Sequence, residues 1–384
     1  MRIVHVSPHL PPDQAANALL PALAGAWSVE RGHTVRYVAY PAAQGSQSTV
    51  PVAGPVTWMP RRTHAGGLRG LLRLDAIDYT RQVAQTLDEI AGDADLLHLH
   101  SNGLLIEAAA QWALRHRRPY ILTLYGTEIW HYARRWPIDF FRRAYNGAAA
   151  VTFYSQGLMD RARELGLTRD GLSVVYPAVA DAFQPVDADT RAQWRVLLGI
   201  NEPHLILNVK RLHELAGQTY LLDAFAEIAR DRSDVRLVIC GTGALRESLE
   251  QQADRLGITA RVTFAGLVPN DVVAKYTAIA DVFALPSLLE ALPTVAVEAL
   301  AAGTPVVSAD HPGGVELHGV FGDDVAVVAR KDVSALARAL RAALDAGRRT
   351  TPATESLLTQ HFRPAAVAAH YEALYQHVGS GARQ

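Results

Sequence analysis

Two glutamates in a nearly apolar stretch are the residues best suited to chemistry in this sequence. Glu290 and Glu298 are separated by seven residues within "PSLLEALPTVAVEALAAGTPVV", residues 286–307. Carboxylates are rarely buried without a partner, because removing an unpaired charge from water is costly. Their oxygens can accept hydrogen bonds from sugar hydroxyls. The spacing alone favours a simpler interpretation, in which Glu290 is a loop residue and Glu298 an exposed position on an amphipathic helix.

The elements predicted around this pair place the two carboxylates on different parts of the fold. "DVFALPS" reads as a buried strand that ends near Pro286, so Glu290 lies in the loop at its carboxyl end. Pro293 suits the first turn of a helix, which we predict over 293–302 with Glu298 in its second turn. Ligands of open parallel sheets bind beyond the carboxyl ends of strands, and helix N–H groups there favour anions. We therefore expect a ligand pocket at this loop.

Short apolar runs alternate with longer segments of helical period along the 384 residues, which favours an α/β architecture with parallel sheets. The alternation begins with "RIVHVS" and restarts with "HLILNVK" after a hinge near 178–190. A chain of this length also suggests about two domains. We predict a first doubly wound domain over 1–182, a second over 183–362, and a terminal helix over 363–384 that packs back toward the first domain.

Composition narrows the class of protein. The net charge of -1 argues against a protein that binds nucleic acid, and the single cysteine, Cys240, allows no internal disulfide. No apolar segment reaches the roughly 18 residues that a membrane span needs. "RIVHVS" follows Met1 directly, so we expect no signal peptide and a cytoplasmic protein. The basic stretch 61–73 has two interpretations. It could contact the inner face of a membrane peripherally, or it could be an ordinary solvated surface.

The segment "PSLLEALPTVAVEALAAGTPVVSADHPGGVEL" resembles the signature of glycosyltransferase family 4, which comprises retaining, nucleotide-sugar-dependent enzymes. "LNVKRLHELAGQTYLLDAF" and "LVICGTGALRESLEQQADRLGITARVTFAGLVP" are similar to its phosphate-binding and base-binding regions. In the first half, "MRIVHVSPHLPP", "ADLLHLHS" and "LTLYGTEIW" fall where that family has corresponding strands. The resemblance implies the GT-B fold, in which two Rossmann-like doubly wound domains face each other across a cleft. The N-terminal domain would bind the acceptor and the C-terminal domain the nucleotide sugar.

The resemblance also implies roles for the residues of the second half. Glu298 would bind the ribose hydroxyls, Glu290 the hydroxyls of the transferred sugar, and Arg211 the diphosphate, because a guanidinium stays charged and offers paired donors. A surface ion pair of Arg211 with Glu214 remains the alternative, and Gly241 with its neighbour Gly243 could simply form a strand-to-helix turn. The implied donor-binding set is Lys210, Arg211, Gly241, Gly243, Leu267, Val268, Glu290, Ala291, Leu292, Pro293, Thr294 and Glu298.

For the first half, the resemblance implies an acceptor side made of His100, Tyr125, Gly126 and Glu128. Tyr125 stands where the family has a histidine, and with Arg211 and Glu290 it completes the expected catalytic set. A phosphate oxygen of the donor would act as the base, so we expect neither a metal ion nor a separate cofactor. His98 and His100 share one face of a strand, but they lack further ligands at metal-binding spacing, and packing explains them equally well.

Four positions in three segments depart from the family pattern. Ala15 and Ala16 replace the two glycines of its phosphate loop, where a Cβ restricts close backbone approach. Tyr125 replaces the histidine, and Ala216 replaces a lysine after Arg211. Without this lysine, the site has one positive charge fewer to stabilise the leaving group, unless Lys210 or His213 supplies that charge.

The sequence thus predicts a retaining glycosyltransferase that moves a sugar from a UDP- or GDP-type donor to a hydroxyl of a sugar, lipid-linked or small-molecule acceptor. Residues 41–75 and 128–143 are expected to line the acceptor pocket. Two alternatives stay open. One is a catalytically weak GT-B protein that binds a nucleotide sugar or a partner, and the other is a GT-B nucleotide-sugar epimerase.

Overall fold

The computed structural model describes residues 1–11, 16–41, 51–62, 74–134 and 138–381. They form two units, one comprising Met1–Pro177 with Ala365–Gln384 and the other Ala178–Pro364. Ala15, the segment 63–73 of the basic stretch and parts of the expected acceptor lining at 42–50 and 135–137 lie outside the described residues. Among the described residues, no helix is long and apolar enough to span a membrane.

The described part of the first unit contains a parallel sheet of seven strands, which confirms the α/β class. The strands lie in the order β3-β2-β1-β4-β5-β6-β7, so the winding direction changes between β1 and β4. No sequence pattern predicts β3, because its three residues are partly exposed and too few to show a period. The strands are β1 (Arg2–Ser7), β2 (Thr34–Ala39), β3 (Val56–Trp58), β4 (Leu96–His100), β5 (Tyr120–Leu124), β6 (Ala150–Phe153) and β7 (Leu172–Val174).

The helices of the first unit bury apolar faces of helical period. In the helix Leu74–Ala91, the buried residues Tyr79, Val83 and Leu87 recur every four positions, and this face packs against the next helix. The helices are α1 (Ala16–Glu30), α2 (Leu74–Ala91), α3 (Leu104–Arg115), α4 (Thr127–Trp130), α5 (Phe140–Gly147) and α6 (Gln156–Glu164).

The second unit has a six-stranded parallel sheet among its described residues, in the order β10-β9-β8-β11-β12-β13. Its winding direction changes between β8 and β11, which are direct neighbours. The strands are β8 (His204–Val209), β9 (Val235–Cys240), β10 (Val262–Gly266), β11 (Val282–Leu285), β12 (Val306–Ala309) and β13 (Val325–Val328). The helices are α7 (Ala188–Leu197), α8 (Gln218–Ala229), α9 (Arg246–Arg255), α10 (Asn270–Ile279), α11 (Thr294–Ala301), α12 (Pro312–Phe321), α13 (Val333–Ala346) and α14 (Pro352–His361).

The helix that carries Glu298 begins one residue later than predicted. Pro293 has φ -80° and ψ 97° and is the N-cap of α11 rather than part of its first turn. The prolyl ring fixes φ but not ψ, so Pro293 can stay extended while it fits against Gly313. Glu298 still lies in the second turn, as its spacing from Pro293 requires.

The last helix, α15 (Pro364–Gly381), belongs almost wholly to the first unit. It places Tyr371 and Tyr375, both fully buried, over a polar face of the first sheet. The Tyr375 hydroxyl lies 2.8 Å from Nδ1 of His98, and His33 forms an ion pair with Glu372 at 3.0 Å when its ring is protonated. The end of the chain therefore completes the core of the domain that the start of the chain forms.

We expect Tyr375→Phe to loosen α15. The substitution leaves Nδ1 of His98 buried without a partner, which costs about 1–3 kcal/mol. Amide hydrogen exchange measured by mass spectrometry should speed up in 364–381 by roughly fivefold or more. Tyr220→Phe removes a hydroxyl from a partly exposed side chain of the second unit and serves as the control. Unchanged exchange in α15 would contradict the structural role of this hydrogen bond.

Candidate functional site

The switch point of the second sheet gathers the predicted polar residues. The segment from Lys210 to Ala216 follows β8, and the loop that carries Glu290 follows β11, so both leave the same edge of the sheet. The two strands are joined by the buried side chain of Asn208, whose Nδ2 donates to the carbonyl of Ala284 at 2.9 Å. In doubly wound sheets this edge is the usual ligand site.

Gly241 and Gly243 allow the backbone after β8 to lie against the backbone after β9. Lys210 N–H donates to Cys240 O, and Leu212 N–H donates to Thr242 O, each at 2.9 Å. A Cβ on Gly241 would lie 2.0 Å from Lys210 O, and one on Gly243 would lie 2.2 Å from Leu212 O. Gly241 also has a φ of 141°. The two glycines thus do more than form a turn, since they fix the segment that presents Lys210 and Arg211.

A cationic group projects from this fixed segment. Arg211 is exposed, and among the described residues its guanidinium has no hydrogen-bond or ion-pair partner, Glu214 included. Lys210 instead pairs with Glu290, with Nζ 2.5 Å from Oε1. Burial lowers the pKa of His213, and the charges of Arg211 and Lys210 lower it further while Glu290 opposes them. These four side chains therefore form one charged group with an unneutralised guanidinium.

The Glu290 loop is held by backbone contacts on both sides. Leu288 N–H donates to Leu215 O at 2.8 Å, and Gly313 N–H donates to Glu290 O at 3.1 Å. A Cβ on Gly313 would lie 2.6 Å from Ala291 O, so only glycine lets the start of α12 come this close. The loop thus has a fixed shape before any ligand binds.

Glu298 is a carboxylate without a partner. It lies on α11 with a partly exposed surface, and among the described residues its side chain has no hydrogen-bond or ion-pair partner. Burial raises the pKa of Glu298 to about 7. The N-terminus of the same helix, preceded by Ala291 and Leu292, has no side-chain cap. Unused acceptor oxygens and free helix N–H groups on one element suit a ligand that carries both hydroxyls and an anion.

The position that the family pattern gives to a lysine is apolar and closed in this chain. Ala216 is fully buried in a 3₁₀ turn, and Gly217 follows it with a φ of 72°. A Cβ on Gly217 would lie 2.1 Å from Pro286 O, so this turn packs directly against the end of β11. Lys210, one of the two residues expected to replace this charge, pairs with Glu290 instead.

The turn after β10 presents the predicted base-binding residues. Leu267 is 74% exposed and Val268 is partly buried. Gly241 N–H donates to Gly266 O at 2.7 Å, which ties this turn to the fixed segment after β9. Leu267 is a large apolar side chain that the described residues leave uncovered, beside backbone groups that could meet a flat ring.

The first unit gathers the predicted acceptor-side residues after β4 and β5. Tyr125 is partly exposed, and its hydroxyl lies 2.8 Å from Nδ1 of His100, which is fully buried. Glu128 is buried and accepts from the Ser101 hydroxyl at 2.6 Å and from Gly126 N–H at 2.7 Å. Burial raises the pKa of Tyr125, so it stays a neutral phenol. Ala16 opens α1, and its side chain is not among those described.

Sequence reasoning missed His5, which joins His98 and His100 in the interior of the first unit. Nδ1 of His5 lies 3.0 Å from Nε2 of His100, and Nε2 of His98 lies 2.7 Å from the Thr123 hydroxyl. The signal was a histidine inside the apolar run "RIVHVS", which predicts inward placement. The three imidazoles are close enough to hold a metal ion. Among the described residues, Nε2 of His5 is their only ring nitrogen without a hydrogen-bond partner, and hydrogen bonds occupy the other five.

Two family models match the chain. "Glycosyl transferases group 1" matches residues 190–354, and "Glycosyl transferase 4-like domain" matches residues 16–178. Solved structures agree on the fold. HepE of Anabaena in complex with UDP superimposes with a TM-score of 0.76, 19% identity, and coverage of 98% of this chain and 100% of that one. A glycosyltransferase of Rickettsia africae gives a TM-score of 0.78 at 14% identity, with 98% of each chain covered.

Curated relatives match part of the chain. An uncharacterised glycosyltransferase of Methanocaldococcus jannaschii is 31% identical over 216 residues, which are 52% of this chain and 54% of the relative. The GDP-mannose-dependent alpha-(1-6)-phosphatidylinositol monomannoside mannosyltransferase of Mycolicibacterium smegmatis is 33% identical over 207 residues, with the same coverage. The chain thus spans about half the length of these relatives.

The fold and the matches define a class, that of two-domain GT-B proteins built from two parallel-sheet α/β units. Within that class, the chain belongs to glycosyltransferase family 4, whose two domain models together span most of its length.

Glu298 gives a pH-dependent stability that can be measured. Its pKa rises from an ordinary 4.5 to about 7 on folding, so the unfolded chain loses the proton first and stability falls as the pH rises between these values. Glu298→Gln removes this loss. The free energy of unfolding of the variant, relative to that of the wild type, should therefore rise by about 1–3 kcal/mol from pH 4.5 to pH 8. Thermal melting at both pH values checks this, with exposed Glu247→Gln as the control. An equal gain at both pH values would contradict a raised pKa.

Proposed function

We propose that the chain transfers a sugar from a UDP- or GDP-type nucleotide sugar to an acceptor hydroxyl, with retention of the anomeric configuration. The observation that carries the proposal is that the segments following β8 and β11 contain two groups without partners among the described residues. One is the guanidinium of Arg211, and the other is the carboxyl of Glu298. One group suits a diphosphate and the other suits hydroxyls, and a nucleotide sugar offers both.

The diphosphate is the ligand part that best explains the charges. Arg211 has free donors on a backbone that is fixed by its neighbours, and a guanidinium binds phosphate oxygens in pairs. The uncapped N-terminus of α11 offers N–H groups and the positive end of a helix dipole. Because the backbone that carries Arg211 and the end of α11 are both in place before binding, little backbone reorganisation opposes their use in the reaction.

The hydroxyls of the donor explain the carboxylates. We propose that Glu298 accepts from the ribose hydroxyls, which would supply the partners that its oxygens lack in the free protein. Glu290 would accept from the transferred sugar while Lys210 holds its orientation through the 2.5 Å ion pair. A carboxylate that is already paired keeps its position without a substrate, so the sugar meets a preformed acceptor.

The proposed reaction balances without a protein base. The bond between the anomeric carbon and the diphosphate oxygen breaks, and the acceptor oxygen forms a bond to that carbon on the same face. The acceptor proton passes to an oxygen of the departing diphosphate. Negative charge grows on that diphosphate in the transition state, and Arg211 stabilises it there. Tyr125 remains a neutral donor for a sugar hydroxyl, since its pKa is raised.

The relatives support the choice of donor type. HepE was crystallised with UDP and with UDP-glucose, and the mycobacterial relative is described as GDP-mannose-dependent. The apolar Leu267 beside the backbone of Gly266 can cover a uracil or a guanine alike. We therefore propose a uridine or guanosine diphosphate as the leaving group.

Turnover tests the proposal directly. Purified protein incubated with UDP- and GDP-sugars and a panel of hydroxyl acceptors should release UDP or GDP and form one glycosylated product. Arg211→Gln should lower kcat by about 100- to 1000-fold, because it removes a preorganised donor from the leaving group. The exposed Arg255 on α9 provides a matched control, Arg255→Gln. Tight nucleotide binding without any turnover would favour the catalytically weak alternative, and isomerised sugar without an acceptor would favour the epimerase.

Nucleotide binding should release protons near neutral pH. Hydroxyls that donate to Glu298 favour its ionised form, so binding lowers its pKa from about 7 and drives off a proton below that pH. Titration calorimetry with UDP and GDP at pH 6.5, in buffers of different ionisation enthalpy, should show release that Glu298→Gln abolishes. The affinity of the wild type should rise with pH up to about 7. Equal proton release in the variant would place the titrating group elsewhere.

A further inference from the structure

A row of buried polar side chains in the first unit ends at Tyr125. His5 on β1 and His100 on β4 are both fully buried, and their rings stack with centroids 5.3 Å apart. Nδ1 of His5 lies 3.0 Å from Nε2 of His100, and Nδ1 of His100 lies 2.8 Å from the Tyr125 hydroxyl. The row thus runs from the interior to a partly exposed phenol at the carboxyl end of β5.

The imidazoles in this row are neutral. Burial lowers the pKa of His5 to about 3, and burial together with the neighbouring imidazoles lowers the pKa of His100 well below its usual range. A neutral imidazole carries one N–H and one bare nitrogen. The two hydrogen bonds of His100 are therefore coupled, since a proton on one nitrogen leaves the other to accept.

Only two arrangements satisfy both contacts. In the inward arrangement, Tyr125 donates to His100, His100 donates to His5, and Nε2–H of His5 has no acceptor. In the outward arrangement, His5 donates from Nδ1 to His100, His100 donates from Nδ1 to the oxygen of Tyr125, and Nε2 of His5 is a bare nitrogen. Nε2 of His5 is buried and has no partner among the described residues. Buried N–H groups without an acceptor are the rarer kind of unpaired group in native proteins, which favours the outward arrangement.

We propose that His5 and His100 are positioning residues that turn the Tyr125 hydroxyl proton outward, as a fixed hydrogen-bond donor to a hydroxyl of the sugar substrate. The phenol oxygen already accepts from His100, so its own O–H points away from the protein interior. Rotation about the C–O bond would otherwise leave the direction of the Tyr125 O–H bond undefined. The hydrogen bond from His100 fixes that direction, so Tyr125 acts as a donor. The ligand named here rests on the proposed glycosyl transfer, whereas the direction of the hydrogen bonds does not.

Nuclear magnetic resonance tests the direction without any substrate. In protein labelled with ¹⁵N in its histidines, two-bond couplings between ring protons and nitrogens report which nitrogen carries the proton. Signals of His5 and His100 are assigned by their loss in His5→Asn and His100→Gln. The proposal expects the proton on Nδ1 of both residues. A proton on Nε2 of His100, or a metal ion bound to these nitrogens in the purified protein, overturns it.

Substitution at residue 5 tests the consequence for Tyr125. In His5→Asp, a carboxylate accepts from Nε2–H of His100, which then accepts from Tyr125 and turns the phenol proton inward. Its kcat/KM should fall about tenfold, the effect of losing one hydrogen bond to the substrate. In His5→Asn, the amide can still donate to His100. The kcat/KM of this variant should therefore be at least about threefold higher than that of His5→Asp. Both variants are first checked for the wild-type melting temperature.

A double-mutant cycle separates positioning from general loss of structure. Once Tyr125→Phe has removed the hydroxyl, His5→Asp should lower kcat/KM by less than about twofold further. Equal losses in both backgrounds would overturn the proposal. If His5→Asp does not fold, the ring proton positions in the wild type decide alone. Failure of turnover with every sugar would refute the proposed function but leave the measured hydrogen-bond direction intact.

Discussion

Close packing of the backbone at the switch point of the second sheet is the constraint on which the candidate site depends. The segments after β8 and β9 touch through main-chain atoms, and Gly241 and Gly243 are the residues that allow it. Gly313 has the same role between the Glu290 loop and the start of α12. Three glycines thus fix the backbone from which the charged side chains project. Such a site spends no binding energy on ordering its own backbone.

The charges at this site are arranged unevenly, and the unevenness has chemical meaning. One cation, Lys210, is neutralised by Glu290, while another, Arg211, has no partner among the described residues. Glu298 likewise has no ion-pair partner among the described residues, and the partial burial of its side chain raises its pKa to about 7. A purely structural network would pair these groups with each other. The unpaired groups are the ones that a ligand of mixed charge and hydroxyl content would satisfy.

Much of the fold was readable in the sequence because the strands of parallel sheets are buried on both faces. Their apolar runs are continuous, and "RIVHVS" and "HLILNVK" match the observed bounds of β1 and β8 to within one residue. The loop position of Glu290 followed from the apolar strand that ends near Pro286, and the helical position of Glu298 followed from Pro293. The short strand β3 could not be found, since three half-exposed residues carry no period. The hydrogen-bond partners of His100, and the burial of Ala216, arise from contacts between segments distant in the chain and leave no local signal.

The last helix has a consequence for how the protein is made. A ribosome releases the seven described strands of the first unit long before it synthesises Tyr371 and Tyr375. Until those two tyrosines emerge, His98 lacks the Tyr375 hydroxyl and the Tyr371 ring that contact it in the folded unit, although domains usually fold in the order of their synthesis. The second unit, by contrast, is one continuous segment, Ala178–Pro364, and can fold as soon as it is complete. The half of the chain that is made first is therefore the half that is finished last.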